Sequence, residues 1–335
     1  MKGLHSLRIA LIADELTTAA LAMEAQVLPV MPHDPPWRLR RLRPDFLFVE
    51  SAWRANGGRW KFRIASYDKH PLRSNRALRR LVRRARGLGI PTVFWNKEDP
   101  VHFDRFIDSA RLFDHVFTVD ADCVPKYRKA LKEQGGVHVL PFVVQHRIHH
   151  PQRAPAETLI PRAGFVGSWH AHRHPQRRAL QRMLFAAASR HLGLDVHDRN
   201  SWHKWEAFRY PSDIPMNIHP AVPHEETARL YRRYLVNLNV NTVLDSPTMY
   251  SRRLVEILAC GGLAATTPSL AVSRLFADFC HVVENEEQAD ALFERLARDG
   301  LSRRDREMAL AGSEHVLRHY TWSKALQDIV SAIGL

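Results

Sequence analysis

Residues 236–262 read VNLNVNTVLDSPTMYSRRLVEILACGG, and this stretch decides how the fold is interpreted. Its first apolar run predicts a buried strand that ends near Asn241, where a polar loop begins. The apolar positions of SRRLVEILA recur at helical spacing and predict a helix that begins near Ser251. A strand, a polar loop and a helix in this order form the unit from which parallel α/β sheets are built.

The start of this predicted helix has the features of an anion-binding site. Its unpaired N–H groups favour an anion, and Arg252 and Arg253 add two positive charges. Glu256, one turn further along, can accept hydrogen bonds from two vicinal hydroxyls such as those of a ribose. A diphosphate and a ribose side by side are the two parts by which a protein can hold a nucleotide sugar. A capped helix with a solvated Arg253–Glu256 pair explains the same residues without a ligand.

Short β-rich runs alternate with helical segments along the whole chain, which predicts parallel sheets with helices on both faces. Strands are predicted at 8–13, 45–50, 92–95, 115–119, 137–142, 163–166, 194–197, 235–240 and 263–266. Helices are predicted at 76–88, 175–191, 225–234, 251–259, 286–298, 303–317 and 321–333. A proline-rich stretch at 149–162 is interpreted as an interdomain linker. The expected fold class is therefore α/β, with two Rossmann-like domains facing across a cleft.

Charge is unevenly distributed over the 335 residues, which carry a formal net charge of +14. Residues 1–150 hold 26 basic and 15 acidic side chains, a net charge of +11, whereas the remainder is nearly balanced. Three widely spaced cysteines form neither a CxxC pair nor an even disulfide set, and no signal peptide or membrane span is evident. These features favour a reducing compartment, the cytoplasm.

Several familiar chemistries lack their motifs in this sequence. No GxGxxG follows a strand, and GxxxxGK[ST], HExxH and GxSxG are absent, which disfavours dehydrogenases, P-loop NTPases, zinc proteases and α/β-hydrolases. A DxD pair at 120–122 and the histidines at 170–174 could ligate a metal, but a helix cap and a polar loop are the favoured interpretations. The histidines at 146–150 lie in the predicted linker, and no specific role is assigned to them.

The SRRLVEILACGG run resembles the C-terminal donor-site motif of CgeB-like (spore-maturation-protein-like) glycosyltransferases. That resemblance implies a GT-B fold, with acceptor binding by an N-terminal domain at 1–150 and nucleotide-sugar binding by a C-terminal domain at 151–318. It also implies a closing helix at 319–335 that crosses back toward the first domain. The other blocks that carry the resemblance are FVESAWRANGGRWKFRIASY (48–67), PTVFWNKEDPVHFDRF (91–106), DHVFTVDADCVPKYR (114–128), FVGSWHAHRHPQRRAL (165–180) and HYTWSKALQDIV (319–330).

The resemblance also assigns roles in donor binding. Glu256 would hold the donor ribose, and the residues at the helix start would face the diphosphate. The first loop of the C-terminal domain would approach the phosphates closely. Many retaining enzymes of this kind have a glutamate eight residues before the ribose glutamate, but Thr248 stands there, so the contact to the transferred sugar is unassigned. The full set of predicted donor-binding residues is Glu256, Arg253, Arg252, Ser251, Gly167, Ser168, Asn241 and Arg173.

Catalytic and acceptor-binding candidates follow the predicted strands of the N-terminal half. A base must take the proton of the acceptor hydroxyl, unless the leaving phosphate does so. Asp99 and Glu98 are the first candidates, although a helix N-cap explains them equally well. The predicted catalytic residues are Asp99, Glu98, Asp14 and His102. The predicted acceptor-binding residues are Trp53, Trp60, Ser51 and Glu15, with packing in a core or lid the alternative for the two tryptophans.

The sequence therefore predicts a metal-independent glycosyltransferase that uses a nucleotide sugar, with a UDP-sugar as the default, and needs no cofactor. The basic N-terminal half suggests an anionic or lipid-linked glycan acceptor, with peripheral contact at the inner face of a membrane. Two alternatives stay open: a nucleotide-sugar epimerase with the same architecture, and a basic protein that binds or modifies nucleic acid. No stable nucleic-acid partner is expected, because no RNA motif or helix-turn-helix signature accompanies the charge.

Overall fold

A computed structural model describes residues 3–67, 69–70, 72–132, 135–152 and 158–335. The chain divides into two compact units. Unit 1 comprises Met1–Phe142, Pro247–Met249 and Trp322–Leu335, and unit 2 comprises Val143–Ser246 and Tyr250–Thr321. The middle of the predicted linker, 153–157, lies outside the described residues.

Unit 1 contains a six-stranded sheet in which every neighbouring pair of strands is parallel. The strands are β1 (Arg8–Ile12), β2 (Gln26–Pro29), β3 (Phe46–Glu50), β4 (Thr92–Asn96), β5 (His115–Thr118) and β6 (Gly136–Val139), in the order β2-β1-β3-β4-β5-β6. The helices between them are α1 (Glu15–Ala22), α2 (Pro36–Leu42), α3 (Arg76–Gly87), α4 (Phe103–Ala110) and α5 (Val124–Leu131). Every residue of β3 and β4 is buried, as expected for central strands covered on both faces.

Helix α3 shows how the sequence pattern sets the packing of unit 1. Its buried side chains are Ala77, Leu78, Leu81, Val82 and Ala85, which recur at helical spacing and belong to the core. Its six arginines occupy the remaining positions before the final Gly87 and lie toward solvent, apart from the half-buried Arg84. The predicted helix at 76–88 is confirmed.

Unit 2 contains a second six-stranded parallel sheet. The strands are β7 (Ile160–Gly167), β8 (Leu194–Asp198), β9 (Asn217–His219), β10 (Tyr234–Asn239), β11 (Ala264–Thr266) and β12 (His281–Val282), in the order β12-β11-β10-β7-β8-β9. Its helices are α6 (Pro175–His191), α7 (His224–Arg233), α8 (Arg252–Ala259), α9 (Leu270–Leu275), α10 (Glu286–Asp299) and α11 (Arg303–His319).

The strand orders identify where each sheet can bind a ligand. In unit 2 the order corresponds to the 3-2-1-4-5-6 arrangement of dinucleotide-binding domains, and its direction reverses between β7 and β10. In unit 1 the order reverses between β1 and β3. Ligands of open α/β sheets bind beyond the carboxyl ends of the strands at such switch points. Two Rossmann-like domains, the predicted fold class, are confirmed.

Two short segments join unit 1 from later in the chain. Helix α12 (Trp322–Ala332) contacts the N-terminal sheet, where the Trp322 ring meets Trp95 edge-on at a centroid distance of 5.5 Å. The Thr248 hydroxyl donates to the carbonyl of Val119 and accepts from the N–H of Ala121, both at 2.9 Å. None of the helices that the structure describes combines the length and the apolar character that crossing a bilayer requires.

The sequence pattern does not predict three of the observed strands, β2, β9 and β12. All three lie at the edge of a sheet, and most of their residues are exposed or half-buried. An edge strand needs no continuous apolar run, because one side and often one face meet water. The apolar periodicity that predicts central strands is therefore missing from these segments.

Candidate active site

Arg253, on the first turn of α8, spans the switch point of the sheet in unit 2. Its Nε donates to the carbonyl of Val166 on β7 at 2.6 Å, and its Nη1 donates to Oδ1 of Asn239 on β10 at 3.4 Å. Its guanidinium also lies over the ring of Phe165, 4.3 Å from the centroid. The side chain thus occupies the place where the strand order reverses, which is where this fold binds ligands.

Gly167 ends β7 and makes room for this guanidinium. A Cβ at position 167 would lie 2.5 Å from Nη2 of Arg253 and 2.7 Å from the Phe165 ring. The sequence predicts Gly167 as a donor-loop residue because a glycine allows phosphates to approach the backbone. The structure adds a second reason, since the space beside this glycine is filled by Arg253.

Positive charge is concentrated around Gly167. The N–H of Arg199 donates to the Gly167 carbonyl at 2.8 Å, and burial together with the charge of Arg253 lowers the pKa of Arg177 to about 10. The hydroxyl of Tyr210 is buried within electrostatic range of all three guanidinium groups, and it has no hydrogen-bond partner among the described residues. Like charges held together beside an unused donor favour a bound anion. Sequence reasoning does not bring Arg199 and Tyr210 into this group, because no local pattern relates them to Gly167.

Glu256 lies on the next turn of α8, buried and ionised. Its Oε1 lies 2.8 Å from Nε2 of His224 and 3.2 Å from Nε of Arg252, and its Oε2 accepts from the Tyr231 hydroxyl at 3.3 Å. Burial opposes ionisation, but the hydrogen bond from His224 and the nearby basic groups outweigh it and hold the pKa of Glu256 well below its usual range. Arg252 pairs with Glu256, and the predicted ligand-free pair of Arg253 with Glu256 does not form. The predicted contact between Arg252 and a diphosphate stays a prediction.

Asn241 is placed differently from its predicted role as a donor contact. Its buried side chain donates to the carbonyl of Thr267 at 2.7 Å and accepts from the N–H of Ser251 at 3.2 Å. The amide thereby anchors the start of α8, for which Ser251 is the N-cap residue. Of the other predicted donor residues, Ser168 follows β7 and is half-buried, and Arg173 is exposed just before α6.

In unit 1, three charged residues meet at the carboxyl ends of β1, β3 and β4. Asp14 caps α1 by accepting from the N–H of Thr17 at 2.9 Å, and it accepts from Nζ of Lys97 at 2.5 Å. Lys97 also pairs with Glu50, which is completely buried. Ser51 is buried too, and its Oγ accepts from the N–H of Lys97 at 2.9 Å. Asp14 therefore caps a helix, and the Ser51 hydroxyl is enclosed in a hydrogen bond within unit 1 rather than exposed to an acceptor.

Asp99 lies inside unit 1, away from solvent. Its Oδ1 accepts from Asn96 at 2.7 Å, and its Oδ2 accepts from the hydroxyls of Thr118 at 2.6 Å and Tyr127 at 2.9 Å. Burial raises the pKa of Asp99 to about 7. Asp99 is thus wrong as an acceptor base, because its carboxylate is enclosed and saturated with donors. The alternative role as a helix cap is wrong as well, because His102 is the N-cap residue of α4.

The accessible catalytic candidates are the neighbours of Asp99. Oε2 of Glu98 lies 4.0 Å from Nε2 of His102, and their side chains are 24% and 37% exposed. The His102 ring meets the half-buried ring of Trp53 edge-on at 5.2 Å. Two predicted catalytic residues and one predicted acceptor residue are therefore brought together. Trp60, by contrast, is a core residue that is 1% exposed, and Glu15 is exposed on α1.

The structure shows which of the candidate metal ligands lie close together. Asp120 accepts from the N–H of Asp122 and caps a short 3-10 turn, which agrees with the favoured interpretation of the DxD pair. Among the described residues, one group has the spacing of metal ligands, and it comprises His149, His224 and Glu256. His149, to which the sequence assigns no specific role, is completely buried beside Glu256.

Two Rossmann-like domains with polar groups at both switch points define an architecture of the GT-B type. Residues 173–331 match a family model described as glycosyl transferase-like. No curated protein matches the chain in sequence. The family match confirms the predicted enzyme class, a glycosyltransferase.

Solved structures of three other proteins are similar to this chain. A glycosyltransferase from Rickettsia africae is 9% identical with a TM-score of 0.57, over 95% of this chain and 86% of that one. A UDP-forming α,α-trehalose-phosphate synthase from Burkholderia xenovorans is 12% identical with a TM-score of 0.53, over 89% and 76%. Sucrose-phosphate synthase from Thermosynechococcus elongatus is 13% identical with a TM-score of 0.51, over 96% and 97%. At these identities the likeness shows the fold.

The contact between Gly167 and Arg253 yields a first prediction. Gly167→Ala should lower the free energy of unfolding by about 1–3 kcal/mol, because the added methyl group overlaps the guanidinium and the Phe165 ring. Gly87→Ala is the matched control, since a Cβ there meets no atom within 4 Å. Urea unfolding of both variants tests this, and equal stability of the two would contradict the packing described.

The raised pKa of Asp99 yields a second prediction. Between the unfolded pKa of about 3.9 and the folded value of about 7, the folded protein holds a proton that the unfolded chain releases. The contribution of Asp99 to stability is therefore lost as the pH rises through this window. The free energy of unfolding of the wild-type chain, minus that of Asp99→Asn, should therefore be larger at pH 5 than at pH 8. Urea unfolding at both pH values checks this, and a difference that does not vary with pH would contradict it.

Proposed function

We propose that this chain transfers a sugar from a nucleotide-sugar donor to an acceptor hydroxyl. The single observation that carries the proposal is the arrangement of α8. Arg253 lies in the cationic cluster at the switch point, and Glu256 follows one turn later as an ionised carboxylate. The diphosphate of a nucleotide sugar would bind at the cationic cluster around Arg253, and the ribose hydroxyls would bond to the carboxylate of Glu256. The sequence resemblance further supports a CgeB-like enzyme, and the similar trehalose-phosphate synthase is described as UDP-forming, which makes a UDP-sugar the proposed donor.

Bond breaking requires stabilisation of the diphosphate as its charge grows. The guanidinium groups of Arg253, Arg177 and Arg199 and the hydroxyl of Tyr210 supply positive charge and a hydrogen-bond donor without a metal ion. The acceptor oxygen then bonds to the anomeric carbon as the bond from that carbon to the diphosphate oxygen breaks. We assign Glu98 and His102 as the candidate groups that take the acceptor proton, because Asp99 is enclosed.

Retention of configuration is the proposed outcome, as the resemblance implies. It requires that the acceptor oxygen attack from the face that the diphosphate leaves, where an oxygen of the leaving phosphate takes the acceptor proton in place of Glu98 or His102. The Thr248 hydroxyl bonds to the backbone at Val119 and Ala121, so it supplies no equivalent of the second glutamate found in many retaining enzymes. Proton NMR of the anomeric linkage in the product distinguishes the two outcomes. An inverted linkage would contradict retention and leave the donor site unaffected.

The acceptor is proposed to be an anionic or lipid-linked glycan in the synthesis of a polysaccharide or glycoconjugate. Most of the excess positive charge lies on residues 1–150, and the arginines of α3 other than Arg84 are exposed. Such a surface attracts phosphate-bearing acceptors and the anionic face of a membrane. The three cysteines are buried as free thiols, which fits a reducing cytoplasm. Efficient transfer to a neutral soluble acceptor, unaffected by salt, would contradict this assignment.

Removal of the carboxylate of Glu256 tests the donor site. Glu256→Ala should weaken UDP binding at least tenfold, because hydrogen bonds to a charged group contribute about 1.5–3 kcal/mol. Glu287→Ala, which removes an exposed carboxylate on α10, should bind UDP as tightly as the wild-type chain. Isothermal titration calorimetry measures both, after circular dichroism confirms that each variant is folded. Unchanged affinity in Glu256→Ala would remove the ribose assignment.

A further inference from the structure

The cluster formed by His149, His224 and Glu256 has a chemistry that the proposed transfer reaction does not use. Its three candidate ligand atoms all lie within 4.8 Å of one another, and the rings of the two histidines are 5.0 Å apart. We propose that these residues form a binding site for a divalent cation of the zinc type, and that this cation competes with the nucleotide for Glu256. The competition rests on the proposed function, whereas the cation site does not.

The hydrogen-bond pattern around His149 defines which ring nitrogen is available. Its Nε2 lies 3.0 Å from Oγ1 of Thr227, and that hydroxyl donates its own hydrogen to the carbonyl of His224 at 2.6 Å. Because the hydroxyl hydrogen is already used, Oγ1 accepts, and Nε2 of His149 carries the hydrogen. Nδ1 is then left with a bare lone pair. That atom is buried and has no hydrogen-bond partner among the described residues.

An imidazole of this kind is prepared to bind a metal. In metal sites, a ligating histidine donates its other N–H to a neighbour that fixes the tautomer and the ring orientation. Thr227 is placed to do this for His149. A buried ring nitrogen without a hydrogen-bond partner is energetically costly. If position 149 served only for packing, an apolar side chain would fill it without that cost.

The other two ligands complete a donor set of two imidazoles and one carboxylate. Nε2 of His224 lies 2.8 Å from Oε1 of the ionised Glu256, and the hydrogen that it donates there must shift to Nδ1 or be released to solvent before this nitrogen can ligate a cation. Two histidines with a glutamate are a donor set that zinc uses when it keeps an open position. Bond lengths of about 2.0–2.2 Å place tetrahedral ligand atoms about 3.3 Å apart, so modest side-chain rotations close the site around the ion.

Arg252 sets the expected strength of binding. Its Nε lies 3.2 Å from Oε1 of Glu256, where a cation would bind, so its side chain must move away when the cation enters. The Arg252 side chain is 27% exposed and has solvent to move into. The energetic cost of this movement favours reversible occupation over a permanently bound structural metal. A cation at Glu256 excludes the ribose, so the expected effect is inhibition rather than activation.

Two titrations of the full-length chain test the proposal, one with Co²⁺ and one with Zn²⁺. Co²⁺ should produce the visible absorption of a tetrahedral or five-coordinate site at one equivalent, and calorimetry should show one equivalent of bound Zn²⁺. His149→Ala should weaken cation binding at least tenfold, in line with the loss of a ligand. His172→Ala, which removes an exposed histidine, should bind as the wild-type chain does. His224→Gln is a second test, because it retains a donor to Glu256 but loses the imidazole.

UDP titrations with and without Zn²⁺ test the competition. Zn²⁺ should weaken UDP binding more in the wild-type chain than in His149→Ala, in which chelation of Zn²⁺ by UDP itself is the only remaining effect.

The cation site is overturned if the wild-type chain binds no Co²⁺ or Zn²⁺, or if folded His149→Ala and His224→Gln bind the cation as tightly as the wild-type chain does. The donor assignment would stand in either case. If Zn²⁺ binds but weakens UDP binding equally in both proteins, the competition is overturned. Failure of UDP binding in every protein would instead overturn the proposed function, and the Co²⁺ spectrum would still decide the cation site.

Discussion

The guanidinium of Arg253 lies between the first and fourth strands of the C-terminal sheet, and the surrounding residues are arranged to hold it there. Burying a charge is costly unless hydrogen bonds and favourable charge interactions compensate. Here the compensation comes from the Val166 carbonyl, the Asn239 side chain and the face of Phe165. Gly167 is required because any larger residue would meet the same guanidinium. The position of Arg253 also fixes the phase of α8, so Arg252 and Glu256 lie together on the neighbouring face of the helix.

At the switch point of the N-terminal sheet, the charged side chains are paired with groups of opposite sign. There the Lys97 ammonium is paired with two carboxylates, those of Asp14 and the completely buried Glu50, so each charged group has a partner of opposite sign within the protein. In the C-terminal domain, the guanidinium groups around Gly167 instead repel one another, and this repulsion contributes to the lowered pKa of Arg177. Removing one partner of a buried pair costs about 3–5 kcal/mol because it leaves an uncompensated buried charge, so the groups around Lys97 depend on one another. A bound anion would relieve this repulsion, and the contrast supports the proposed anion site in the C-terminal domain.

Much of the fold could be predicted from the sequence because both sheets have central strands made of continuous apolar runs. The helix at 251–259 could be predicted for the same reason, and the structure places it at Arg252–Ala259. The roles of its polar residues could not be predicted equally well. Spacing identified Arg252, Arg253 and Glu256 as a group, but only the packing of α8 decides which arginine enters the sheet and which pairs with the carboxylate.

Burial explains the other differences between expectation and structure. Asp99 and Trp60 lie in polar loops of the kind that often form accessible sites. Their side chains are nevertheless buried, where Asp99 accepts a hydrogen bond from Thr118 and Trp60 donates one to the carbonyl of Val30. His149 stands in a proline-rich stretch that has no local pattern, and its neighbours Thr227 and His224 come from a helix 75 or more residues later in the chain. Contacts of this range depend on the tertiary fold and leave no periodic trace in the sequence.

A crystal structure of the chain with bound UDP tests the central claim most directly. The diphosphate should lie within hydrogen-bonding distance of Arg253 beside Gly167, and both ribose hydroxyls should bond to Glu256. UDP bound elsewhere, or bound in this region without contact to either Arg253 or Glu256, would contradict the account.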